Sequence, residues 1–216
     1  MNLLLIGIVA CGLMVQGVLA FDDPPQLPAE FIAKATWTIT NPMSATGAAG
    51  FGTASMNGPN GQFRIQGQTT WHPNGYVYQS DGLYLCGVTD AFYSSWIRTS
   101  PMFPSQTSCD ITAVPTVIAT CEVAGDGQLP KLGFLHSTTF YGQPSVSYVY
   151  SHLLGLGGLS SATFWFTSNA KTLLGLQVVD TDGWITNANV TSIISEVPPS
   201  STFSTVPSPC VNASSY

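Results

Sequence analysis

Hydrophobic and polar residues alternate with a period of two over several long stretches, the spacing that sends successive side chains to opposite faces of a β-strand. Phe31, Ala33, Ala35, Trp37 and Ile39 fall on one side, and Ile32, Lys34, Thr36, Thr38 and Thr40 on the other. Phe63, Ile65, Gly67, Thr69 and Trp71 alternate in the same way against Gln62, Arg64, Gln66, Gln68 and Thr70. Late in the chain Ala162, Phe164 and Phe166 oppose Thr163, Trp165 and Thr167, and Leu174, Leu176 and Val178 share a face. Trp184, Thr186, Ala188 and Val190 then oppose Ile185, Asn187, Asn189 and Thr191. Each run predicts a strand buried on one side only.

The breaks between these runs have turn chemistry: Asn41-Pro42, Asn57 to Gly61, His72-Pro73-Asn74-Gly75, Asp81-Gly82, Ser168 to Lys171 and Asp180-Thr181-Asp182-Gly183. Residues 31–88 therefore predict a meander of about five strands, with Asp81-Gly82 as its last turn. Leu132 to Phe140 and Ser145 to Leu154 predict further strands. Two short helices are expected in the less regular middle, over Thr89 to Arg98 and Ala113 to Val123, although neither shows a 3.6-residue period. Between Ala49 and Met56, the side carrying Gly50, Gly52 and Ala54 has almost no volume. That allows another element or a ligand to approach the backbone closely, or marks a bulged, weak strand.

Charge changes this picture by exclusion. Only 7% of the chain is charged, with five Lys and Arg and a net charge of −6. Unclustered cations in that number do not neutralise a run of phosphates, so nucleic acid is excluded as a partner, and an anionic membrane surface with it. The apolar run from Leu3 to Val15, ending in Val18-Leu19-Ala20, reads as a secretory signal peptide over residues 1–20 and is too short for a membrane span. No transmembrane segment is expected after its cleavage. Residues 21–210 suit a single β-rich domain, with 211–216 as a C-terminal tail.

In an exported chain the four remaining cysteines, Cys86, Cys109, Cys121 and Cys210, read as two disulfides. Of the three pairings, Cys109 with Cys121 and Cys86 with Cys210 is favoured, because the first closes a short loop and the second pins the tail. Asn189-Val190-Thr191 and Asn212-Ala213-Ser214 are glycan acceptor sequons, and Asn189 falls on the polar side of its strand. His72, His136 and His152 lack ligand spacing, so no metal and no cofactor is expected. No nucleophile elbow, zinc-protease or phosphate-loop motif occurs, and the chain is expected not to be an enzyme. Asp180-Thr181-Asp182-Gly183 superficially resembles the opening of a calcium loop or an aspartic-protease motif, but reads as a hairpin turn.

The order of features resembles a known group. A Pro-rich lead-in with Leu27-Pro28 and Phe31, a run of antiparallel strands and an irregular middle come first. Phe164-Trp165-Phe166 with its hairpins then precedes Pro198 to Phe203 and Pro209-Cys210. This is similar to secreted eukaryotic LolA-like proteins of the ependymin-related kind. The resemblance implies a strongly curved antiparallel sheet, a half-barrel with one or two short helices covering the open side. It also implies an apolar cavity for lipid and a cysteine bridge from the tail to the sheet. The scarcity of charge, and Asn57 where such proteins often carry Asp, are departures from that group.

Together these observations lead to an expectation: a secreted or endolysosomal carrier of a hydrophobic small molecule, lipid or fatty-acid-like, in a cavity lined by Trp37, Phe63, Ile65, Trp71, Phe164, Phe166 and Trp184. The alternative is an extracellular cell-surface or matrix interaction module in which those same side chains form a fully packed core.

Overall fold

A computed structural model describes residues 27–85, 91–113, 134–151, 159–169, 171–208 and 210. The expected mainly β architecture is present as one antiparallel sheet. In chain order its strands are β1 (Glu30–Thr40), β2 (Gly47–Asn57), β3 (Gln62–His72), β4 (Val77–Leu85), β5 (Ala91–Thr99), β6 (Gln106–Ala113), β7 (Phe134–Phe140), β8 (Gln143–Ser151), β9 (Leu159–Thr167), β10 (Leu173–Asp180) and β11 (Ile185–Ile194). They lie in the order β6-β5-β4-β3-β2-β1-β11-β10-β9-β8-β7, so the first and last strands pair in the middle and the sheet stays open at β6 and β7. A short helix α1 (Ser201–Ser204) follows β11. No helix among the described residues is long and apolar enough to cross a membrane.

The register decides which side chains share a face. Trp37 stands opposite Gly50 on β2 and Ala188 on β11, Gly50 opposite Thr69, and Gly52 opposite Gly67. This inner face carries one core of Phe31, Trp37, Ile39, Met56, Phe63, Ile65, Val146, Tyr148, Phe164, Phe166, Leu176 and Val178, among others. A flat sheet would hold β3 and β8 roughly 29 Å apart, six strand spacings of about 4.8 Å. Ile65 and Val146 belong to one buried cluster that spans this width through Met56, Trp37, Ala188, Leu176 and Phe164 on the strands between, along the inner side of a curved sheet. A bulge between Lys34 and Ala35, where Thr191 is the extra residue on β11, turns Ile193 towards the same interior.

Three sequence expectations are corrected. Asp81-Gly82 is not a turn: β4 runs unbroken through it, with Gly82 opposite Ile65 and Asp81 opposite Gln66, so residues 30–85 make four strands. Asp81 stays in the ladder because Arg64 on the neighbouring strand grips its carboxylate. Residues 91–99 are strand rather than helix, paired on both sides with β4 and β6. Residues 106–113 are strand β6, which alternation did not mark, and only Ala113 of the second expected helix is described. The favoured disulfide pairing is also overturned, since Cys109 bonds Cys210 across a sequence separation of 101, with Cα atoms 5.1 Å apart. The tail crosses the outer face of β3 to β6, where Cys109, opposite Ser95, already points. Cys86, Cys121, Asn212 and residues 1–20 lie outside the described residues.

A closed loop of that size is worth about 4.7 kcal/mol on the chain-entropy model. Reduction is therefore expected to lower the urea midpoint substantially, and a non-reducing digest should yield a Cys109–Cys210 peptide.

Candidate functional site

Trp37 is 4% exposed, and its indole lies over a slot of glycines. A Cβ on Gly50 would come 2.5 Å from Cε2 of the indole, and one on Gly52 would come 2.8 Å from Cη2. Gly67 on β3 faces the same Cη2. The ring thus spans β2 and reaches β3, where its Nε1 donates to the Thr69 hydroxyl at 3.0 Å. The close approach expected at Gly50 and Gly52 is real, and the approaching group is the protein's own tryptophan.

The seven residues expected to line a cavity do come together. Trp37, Phe63, Ile65, Phe164 and Phe166 are buried in the inner core, and Trp71 and Trp184 are partly buried against it. The last two meet edge to face, with ring centroids 5.5 Å apart. Among the described residues, the hollows open on the opposite, outer face.

The largest of these is a groove of about 730 Å³ across β1 to β5, within the usual range for small-molecule sites. Its floor follows from the register. One row runs Thr36, Phe51, Gln68, Gln79 and Ile97 on successive strands, and the next runs Lys34, Thr53, Gln66, Asp81 and Ser95. Phe51 is 58% exposed, an aromatic ring presented among amides and hydroxyls. Thr191 and Ser208 complete the rim.

One side is built by the tail. Arg64 binds both carboxylate oxygens of Asp81, Nε to Oδ1 at 2.9 Å and Nη2 to Oδ2 at 2.5 Å. Its Nη1 donates to the carbonyls of Thr202 and Thr205 at 2.7 and 2.8 Å, which ties the segment around α1 to β3. Gln66 Nε2 adds a third bond to Asp81 at 2.9 Å. Leu83 of β4 is buried, as are Pro198, Phe203, Pro207 and Cys210 of the strap itself. Helix α1 therefore covers the face opposite the large aromatics. Arg64 is thus committed to structure, whereas Lys34 makes no ion pair among the described residues.

A smaller outer hollow of about 220 Å³ lies by Phe140, Trp165, Gln177 and Asn187, where the Phe140 and Trp165 rings sit 5.3 Å apart. Asn189 is half-buried on the outer face, opposite Thr36. Asp180 Oδ1 accepts from the backbone N–H of Asp182 at 3.0 Å and of Trp184 at 2.8 Å, so this carboxylate is spent on holding its hairpin turn. Sequence reasoning passed over Phe51, Gln66, Gln68, Gln79 and Ile97, because the polar sides of these strands read as solvent-facing. The signal available was Phe51, a bulky apolar residue on the opposite parity from Gly50 and Gly52.

No protein-family model matches the sequence, and no curated protein matches it. Among solved structures the chain is similar to a LolA superfamily protein from Nitrosomonas europaea, at 9% identity and TM-score 0.36, covering 94% of this chain and 97% of the other. It is similar to a DUF1329 family protein from Desulfovibrio piger at 9% identity and TM-score 0.36, covering 82% and 89%. A domain assigned to outer-membrane lipoprotein sorting in Vibrio parahaemolyticus follows at 10% identity and TM-score 0.31, covering 81% and 89%. At TM-scores below one half these likenesses carry no argument about ligand or activity, and the fold rests on the strand order and register.

Removing one partner of a mostly buried ion pair leaves an uncompensated charge, at a cost of about 3 kcal/mol or more. Arg64→Met is expected to destabilise the protein by about that amount in urea unfolding and to expose the tail to limited proteolysis. Lys34→Met should leave both measurements unchanged.

Proposed function

We propose that the protein is an exported binding protein for an amphipathic, largely hydrophobic small molecule, held without covalent chemistry in the outer groove. The observation that supports this is the groove's composition. The Phe51 ring, the Ile97 side chain and glycine backbone offer apolar contact, while Gln68 and Gln79 between them in the same row, and Lys34 and Gln66 in the next, offer polar atoms. A ligand with an apolar body and a polar head would bury the first against the ring and satisfy the second at the amides. The signal-like N-terminus and a tail held by disulfide bonding suit an extracellular or endolysosomal setting. In this reading the chain keeps the carrier role implied by its likeness to LolA-like proteins of the ependymin-related kind, but places the ligand on the other face.

One observation favours a second reading, an extracellular interaction module: the aromatic face is filled by its own side chains, as a packed core requires. The two readings separate on the purified protein. Native mass spectrometry is expected to show a co-purifying small amphiphile that is lost in Phe51→Arg, a substitution at an exposed position that should leave unfolding unchanged. An empty wild-type protein with no affinity for any fatty acid or lysolipid would favour the module.

A further inference from the structure

Strands β1 to β6 form three hairpins side by side, and the three tips lie at one end of the sheet. The register brings them level: Thr38, Ala49, Thr70, Val77 and Thr99 form a single cross-strand row, and the connections begin within three residues of it. These connections are residues 41–46, 73–76 and 100–105. With strands about 4.8 Å apart, successive tips stand roughly 10 Å from one another.

Two of the tips present the large apolar side chains most exposed to solvent at this end. Met43 is 95% exposed, Met102 80% and Phe103 59%. Pro42, Pro73, Pro101 and Pro104 punctuate the same connections, and none of the three contains Asp, Glu, Lys or Arg. Met43 stands on one tip and Met102 with Phe103 on another, roughly 20 Å away across four strand spacings.

A second feature sits immediately below. Trp71 and Trp184 pair edge to face one residue from the ends of their strands, and Tyr78 and Trp96 pair at 5.8 Å near the ends of theirs. Arg98 lies 5.0 Å above the Tyr76 ring. All five of these rings are half-buried. Uncharged apolar tips above a band of half-exposed Trp and Tyr match the polarity profile of a bilayer leaflet, with hydrocarbon first and then the interfacial layer where Trp and Tyr concentrate. Electrostatics choose the kind of leaflet. The tips themselves have no cation; Arg98 lies just below them, and the neighbouring turn, joined by the Asn41 side-chain bond to the Asp182 carbonyl at 3.2 Å, adds an exposed carboxylate that offsets its charge. Separate, isolated side chains at hairpin tips also suit a fluid acceptor better than the continuous packed core of a protein interface.

We propose that this end of the sheet is a contact surface for an electrically neutral phospholipid bilayer, with Met43, Met102 and Phe103 inserting and the Trp71, Trp96 and Trp184 rings at headgroup depth. The inference goes beyond ligand binding in the groove and stands or falls separately from it.

The test is flotation of the purified protein with phosphatidylcholine vesicles. The wild type is expected to float with them, to remain bound in 1 M salt, and to gain nothing when phosphatidylserine is added. Met43→Ser/Met102→Ser/Phe103→Ser, altered only at exposed positions, is expected to lower the partition coefficient roughly tenfold or more while keeping the wild-type circular dichroism spectrum and urea midpoint. Phe51→Arg should float like the wild type. A wild type that stays with the aqueous phase, binding that needs phosphatidylserine, or a triple variant that floats unchanged would overturn the proposal. So would capture of a protein partner through these residues with no vesicle binding.

Discussion

The structure depends on one indole lying in a glycine slot. Trp37 on β1 crosses the whole of β2 to donate to Thr69 on β3, and it does so only because Gly50, Gly52 and Gly67 leave the inner face bare at those points. A single side chain thereby ties three strands together on the face that the sheet curves around. The hydrogen bond satisfies the buried indole N–H, and the ring supplies the volume that three missing side chains would have supplied. Extra volume here forces strain, since the strand backbones are already at contact distance.

A consequence for function follows. A curved sheet with large aromatics on its inner side offers two outcomes from the same residues, a lined cavity or a packed interior. Trp37, Phe63, Phe164 and Phe166 are buried on the inner side, and among the described residues the largest hollow is on the opposite face, where the tail has been laid down as a strap. Arg64 makes that strap possible. One guanidinium closes on Asp81 within the sheet and on two carbonyls of the tail, and the Cys109–Cys210 bond fixes the far end. In a chain with so few charges, the buried pair holds the tail against a largely polar strand face, where apolar packing alone would specify its position poorly.

Much of the fold was legible in the sequence and little of the groove was. Strands β1, β3, β9, β10 and β11 announce themselves because one face is wet and the other dry, so period two survives in the letters. Strand β5 does not, since Tyr93, Trp96 and Ile97 put bulky apolar groups on both parities, and the stretch was read as helix. Asp81-Gly82 has the local chemistry of a turn, but its carboxylate is held by Arg64, seventeen residues away in sequence, and tertiary pairing overrides the local preference. Cys109 and Cys210 could not be paired from spacing, because the bond depends on where the tail lies. The groove escapes for a similar reason: its wall takes a few residues from each of several strands and one from the tail, and only the register brings Phe51, Gln68 and Gln79 into a row.

The face that accepts a guest decides the function of this sheet. A crystal of the protein soaked with a bromine-labelled fatty acid, examined by anomalous scattering, tests it most directly. The expected result is bromine density beside Phe51 and Ile97, with Trp37 unmoved over its glycines. Bromine between Trp37, Phe63 and Phe166, with the indole lifted from its slot, would contradict it.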